Sequence, residues 1–160
     1  TGCSVCYDIV HEMNDQDIIV ETLGSVDENS NDLIYVDVTR EGKNHPTRTI
    51  QESDEICPNI IVDYTMDSKI VGFEILGVAR MTGVAETNSS YAKRHVSWKI
   101  EGDRERCEEC LFALYLHASR GNEVTQVHKT EDERVFSGKN SDGHLRCLLV
   151  RNPNTSFAYF

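Results

Sequence analysis

The chain reads as an α+β protein: mainly an antiparallel sheet or partly closed barrel, with one principal helix over about residues 103–120. Three observations predict this. Two β-rich runs, Ile60–Tyr64 and Ile70–Leu76, are joined by five polar residues, Thr65–Lys69, which is the pattern of an antiparallel hairpin. Further short alternating runs recur without helices between them, so a doubly wound parallel sheet is not expected. Finally, Cys107, Cys110, Leu111, Leu114, Tyr115 and Ala118 fall at helical spacing after Asp103, a good N-cap, and before Gly121, a good stop.

From the amino end, Val5–Val10 and Asp17–Leu23 are short apolar segments, and Val5, Ile9 and Met13 fall four apart as in a helix. Ser25–Asp32 is dense in turn formers and reads as a loop. Leu33–Val38 follows as a strand, with Leu33, Tyr35 and Asp37 on one face and Ile34, Val36 and Val38 on the other. Thr39–Asn59 is polar and predicts short strands or loops, with Pro58 marking the start of the hairpin. Gly77–Lys93 is a mixed connection, and His95–Ile100 alternates as a strand. Beyond the expected helix, Glu123–His128, Arg134–Phe136, Leu145–Val150 and Ser156–Phe160 read as strands, with turns at Lys139–Gly143 and Asn152–Asn154.

A chain of 160 residues is expected to form one domain, 1–160, with a core that needs no disulfides. No apolar run reaches the roughly 20 residues of a membrane span. The amino end has neither the basic stretch nor the long apolar block of a secretory signal, and its lack of Met leaves room for a removed leader or tag. The expected compartment is the cytoplasm, with free thiols.

Charge is uneven. Residues 1–63 carry 14 acidic and 3 basic side chains, whereas residues 64–160 carry 13 of each. A field of that sign repels phosphate backbones and anionic lipid, so neither nucleic acid nor membrane is an expected partner. It attracts a basic protein. The first functional expectation is therefore a non-enzymatic acidic binding or assembly protein that neutralises a basic partner, with homodimer formation through sheet edges as a further possibility.

The chemistry-bearing residues offer few constellations. Asp63 and Glu74 are the charged members of the hairpin, and with His95 they are the candidates for a catalytic or ligand-holding set in a small hydrolase or ligand-binding protein, the alternative reading. Cys3, Cys6, Cys107 and Cys110 form two C-x-x-C pairs and are the candidate ligands of a structural zinc. Their separation exceeds ribbon spacing, and the second pair lies on an apolar stripe, so the expectation is buried thiols with no metal and no cofactor. Cys3, Cys6 and His11 do not complete a zinc knuckle, because position 16 is Gln16. Asp27, Asn29 and Asn31 match the start of a calcium loop, but Asp32 and Val38 occupy positions that need Gly and Glu, which favours an Asx-rich turn. No phosphate loop, nucleophile elbow or dinucleotide fingerprint occurs.

One stretch carries a family likeness. The runs NDLIYVDV at Asn31–Val38, IIVDY at Ile60–Tyr64 and KIVGFEILGVAR at Lys69–Arg80 together resemble the domain of unknown function 2283 family over about residues 25–80. Val26–Asp27 stands where such modules carry an aromatic–Asp pair, and Ser68 stands where their turn has Gly. The resemblance implies a hairpin-containing β module and carries no activity and no functional residue. The half of the chain after Arg80 has no recognised relative.

Overall fold

The structure is a computed structural model that describes residues 4–11, 18–26, 32–40, 50–84, 95–102, 110–118 and 123–158, with side chains described from Asp32 onward except that of Arg40. Eleven strands are described, forming two antiparallel sheets. The first contains β1 (Ser4–His11), β2 (Ile18–Val26), β3 (Asp32–Arg40), β4 (Glu52–Cys57), β5 (Ile60–Tyr64) and β6 (Ile70–Leu76), in the order β1-β2-β3-β6-β5-β4. The second contains β7 (Ser97–Glu101), β8 (Leu111–Tyr115), β9 (Gln126–Lys129), β10 (Val135–Lys139) and β11 (Leu145–Arg151), in the order β7-β8-β11-β10-β9. Two short helices complete the described elements, α1 (Val78–Thr82) and α2 (Pro153–Ser156). The sheets remain open rather than closing into a barrel.

Alternation decides which side of each strand is inside. Ile34, Val36 and Val38 of β3, Ile60, Val62 and Tyr64 of β5, and Phe73 and Ile75 of β6 are buried in one core with Trp98, Phe112, Leu114, Leu148 and Val150 of the second sheet. An aromatic series crosses between the sheets. Phe73 meets Phe157 edge-on at 6.3 Å, Phe157 meets Phe112 edge-on at 5.4 Å, and Phe112 stacks on Trp98 at 5.8 Å.

The hairpin spans the predicted residues. Its turn is closed by Thr65, whose N–H donates to the Lys69 carbonyl at 2.9 Å and whose hydroxyl accepts the Lys69 N–H at 3.1 Å. Ser68 adopts φ 62°, the left-handed conformation that favours glycine, so the turn keeps its glycine-type geometry with a serine in place. Asp32 accepts the Ala79 N–H at 2.7 Å and so holds α1 against β3.

Three expectations are corrected. The principal helix over 103–120 is not formed where the structure describes it: Leu111–Tyr115 is strand β8, and 103–109 lie outside the described residues. Phe112, Leu114 and Leu116 face the core, while Ala113 on the other side is also buried. A central strand covered on both faces reads as a continuous apolar run, and such a run satisfies helical and strand spacing equally. The helical spacing of Val5 and Ile9 likewise falls on a strand, β1, paired along its whole length with β2. Ser156–Phe160 reads as a strand in the sequence, but Pro153 at the first helical position starts the turn of α2, which takes in Ser156, and Tyr159 and Phe160 lie outside the described residues. Phe157 then makes a single parallel bridge to Ile70.

Among the described residues no helix is long and apolar enough to cross a membrane.

On the face of the first sheet turned away from the core, Asp37 of β3 and Asp63 of β5 both stand opposite Gly72 of β6. Gly72 is the bare position over which Tyr35 reaches from β3, so that its hydroxyl donates to Asp63 Oδ2 at 2.9 Å. A Cβ on Gly72 would lie 2.6 Å from the Tyr35 oxygen and 2.7 Å from the Val36 carbonyl oxygen. The side chain could turn aside, but the strand carbonyl cannot. Gly72→Ala is therefore expected to destabilise the protein by about 1–3 kcal/mol. An unchanged denaturant midpoint in equilibrium unfolding would show that this approach does not exist.

Candidate functional site

The described residues form an open cleft of about 310 Å³ at the edge where β4 and the β9–β10 connection face each other. It is lined by Glu52, Asp54, Tyr64, Ser68, Glu131, Asp132, Glu133 and Arg134. Register explains the first half. Glu52 stands opposite Tyr64 and Asp54 opposite Val62, and both β5 residues belong to the core. Glu52 and Asp54 thus occupy positions that face the second sheet, and on an interior strand they would be apolar. At the rim, beyond the reach of the core, they are exposed carboxylates.

The second half is a tightly bonded loop. The Thr130 hydroxyl donates to the Val135 carbonyl at 2.8 Å and accepts the Asp132 N–H at 3.1 Å. Asp132 accepts from the Arg134 backbone N–H at 2.9 Å, from its Nε at 3.0 Å and from its Nη2 at 2.8 Å. The loop is tied to the first sheet at two points. The Tyr64 hydroxyl donates to Asp132 Oδ2 at 2.7 Å, and the Glu131 N–H donates to the Ile56 carbonyl at 2.9 Å. Arg134 lies over the Tyr64 ring at 5.8 Å, within cation–π range.

The titration behaviour follows from these bonds. Burial pushes the Asp132 carboxyl up, but the Arg134 side chain and backbone and the Tyr64 hydroxyl outweigh it and hold Asp132 below the usual carboxylate range. Burial, then the hydrogen bond to Asp132, push the Tyr64 phenol up, so it stays a donor. The Arg134 charge is committed to Asp132. Glu52, Asp54, Glu131 and Glu133 face the cleft without a comparable cation among its lining residues. Chemically the site suits a cationic group from outside, received between carboxylates and beside an aromatic ring.

The residues singled out from sequence lie elsewhere. Asp63 and Glu74 share the outer face of the first sheet, since Glu74 is two residues from Gly72, the partner of Asp63. Asp63 is buried and accepts from the Tyr35 and Ser53 hydroxyls. His95 precedes β7 in the second sheet, with its ring 5.7 Å from that of His117. Burial and Arg146 push His117 down, partly opposed by Glu123, which accepts from Arg146 Nε at 3.0 Å. The proposed trio is thus divided between the two sheets.

Cys110 is buried just before β8, Cys6 is described in its backbone on β1, and Cys3 and Cys107 lie outside the described residues. The candidate calcium loop, 27–31, lies outside them as well. Among the described residues no group of three His, Cys, Asp or Glu side chains is placed to hold a metal ion.

Sequence reasoning missed the cleft, although two acidic runs marked it: Glu52-Ser53-Asp54-Glu55 and Glu131-Asp132-Glu133. The second run lies in the half of the chain whose charge balances, and its neutralising residue Arg134 is next to it in sequence. A count over halves could not reveal that the two runs meet.

Because the folded-state value of Asp132 is depressed, its contribution to stability is present above the ordinary Asp value near 4. It is lost as the pH falls through the lower, folded-state value. Arg134→Gln is expected to cost about 1–2 kcal/mol at neutral pH, a figure discounted for partial exposure. It is also expected to move the onset of acid unfolding to higher pH. An acid-unfolding profile that parallels the unaltered protein would contradict the pairing.

With the geometry in place, comparison with known proteins adds one finding. The family model described as protein of unknown function (DUF2283) matches residues 27–78. Those residues contain β3, β4, β5 and β6, which are contiguous in the first sheet in the order β3-β6-β5-β4. The match includes the cleft's first-sheet side and not the 131–134 loop. No curated protein and no solved structure matches the chain. Over residues 27–78, four of the six strands of its first sheet, the chain is similar to a family whose function is unknown, and the comparison assigns no chemistry to the cleft.

Proposed function

We propose that the protein is a non-enzymatic acidic binding protein whose partner is a basic protein, neutralised by charge. One observation carries this reading: four carboxylates, Glu52, Asp54, Glu131 and Glu133, converge on one cleft whose cation is already held by Asp132. Carboxylates that line one cleft attract a cation that enters it. The net charge of −11 adds long-range steering of the same sign. The division of Asp63, Glu74 and His95 between two sheets gives the hydrolase reading no comparable support. The proposal takes the cytoplasm as the compartment.

A lysine-rich peptide titrated calorimetrically into the protein tests the reading. Binding is expected at low ionic strength, weakening steeply with salt. The variant carrying Glu52→Gln, Asp54→Asn, Glu131→Gln and Glu133→Gln together should bind roughly tenfold more weakly or worse. Equal affinity for this variant and the unaltered protein would place the binding elsewhere and sink the proposal.

A further inference from the structure

We infer that the partner contributes an extended segment with lysine or arginine at alternate positions, which adds to the free edge of β4 as a further strand. This rests on the basic-partner reading and specifies its mode. Among the described residues β4 pairs only with β5 and ends the first sheet. Glu52, Ser53, Asp54 and Glu55 are all exposed. An antiparallel edge strand directs the N–H and C=O groups of alternate residues away from its neighbour, and these form a template for another chain. Among the described residues only the far end of that edge is capped, where the Ile56 carbonyl accepts the Glu131 N–H.

Charge selects the occupant. Pairing of β4 with β4 of a second copy would set Glu52, Asp54 and Glu55 against their own kind, a destabilising cross-strand arrangement. A basic strand meets the opposite condition. Side chains alternate along a strand, so every second residue of the added segment would point between the sheets, toward Glu52, Asp54, Glu131 and Glu133. Intervening residues would lie beside Ser53 and Glu55 on the outer face. The cleft adjoins this edge along Glu52–Asp54, and Arg134 beside Tyr64 shows within the chain how a guanidinium sits there. In strand addition main-chain bonds supply affinity and side-chain sites supply specificity, and here the carboxylates fill the second role.

The probe is an end-blocked peptide of alternating lysine and threonine, with two isomers N-methylated on alternate amides, one on the lysines and the other on the threonines. Each isomer keeps the charge and spacing of the parent and loses one side's N–H donors. For strand addition, at least one isomer should bind roughly tenfold or more weakly than the parent. If both isomers bind as the parent does, the strand mode is overturned while the basic-partner reading stands. If the parent itself does not bind, both fall together.

Discussion

The bond between the Tyr64 hydroxyl and Asp132 Oδ2, 2.7 Å long, sets the relation on which the candidate site depends. Tyr64 ends β5 with its ring in the core, and Asp132 begins the turn that leads into β10. Neither sheet alone makes the cleft. Glu52 and Asp54 belong to one wall and Glu131 and Glu133 to the other, so their convergence requires the rims to be held at a fixed distance. The same carboxylate that receives Tyr64 also receives Arg134, which leaves the remaining charges of that rim exposed to whatever approaches. A hydrogen bond to an ionised acceptor is among the stronger kinds, and partial burial limits competition from water.

The outer face of the first sheet follows a different rule. There Gly72 gives up a side chain so that Tyr35 can cross β6 and satisfy Asp63. Asp63 is then a bonded structural carboxylate whose two oxygens are occupied by Tyr35 and Ser53. That placement explains why a charged residue in the hairpin, the most conspicuous candidate in the sequence, is chemically quieter than the unremarkable acids of β4. Exposure, and the absence of a fixed donor among the described residues, make the β4 acids available.

The first sheet was largely legible in the sequence. The Ile60–Tyr64 and Ile70–Leu76 strands and the faces of β3 followed from alternation, because each has one apolar and one polar side. The second sheet was less legible where both faces are covered: Leu111–Tyr115 carries no polar side to betray its period, and it imitated a helix. The cleft was invisible for another reason. Its walls lie nearly 80 residues apart, and local pattern does not say which acidic turn will face which acidic strand. The family likeness over residues 27–78 includes one wall and is silent on the other.

The central claim is that Tyr64 and Asp132 hold the two rims together, and a double-mutant cycle addresses it most directly. Unfolding free energies of Tyr64→Phe, Asp132→Asn and the double variant would be compared with the unaltered protein. A direct bond predicts that the two losses do not add, with a coupling of about 1 kcal/mol or more. Additive losses would mean that the residues do not meet, and the cleft as described would lose its second wall.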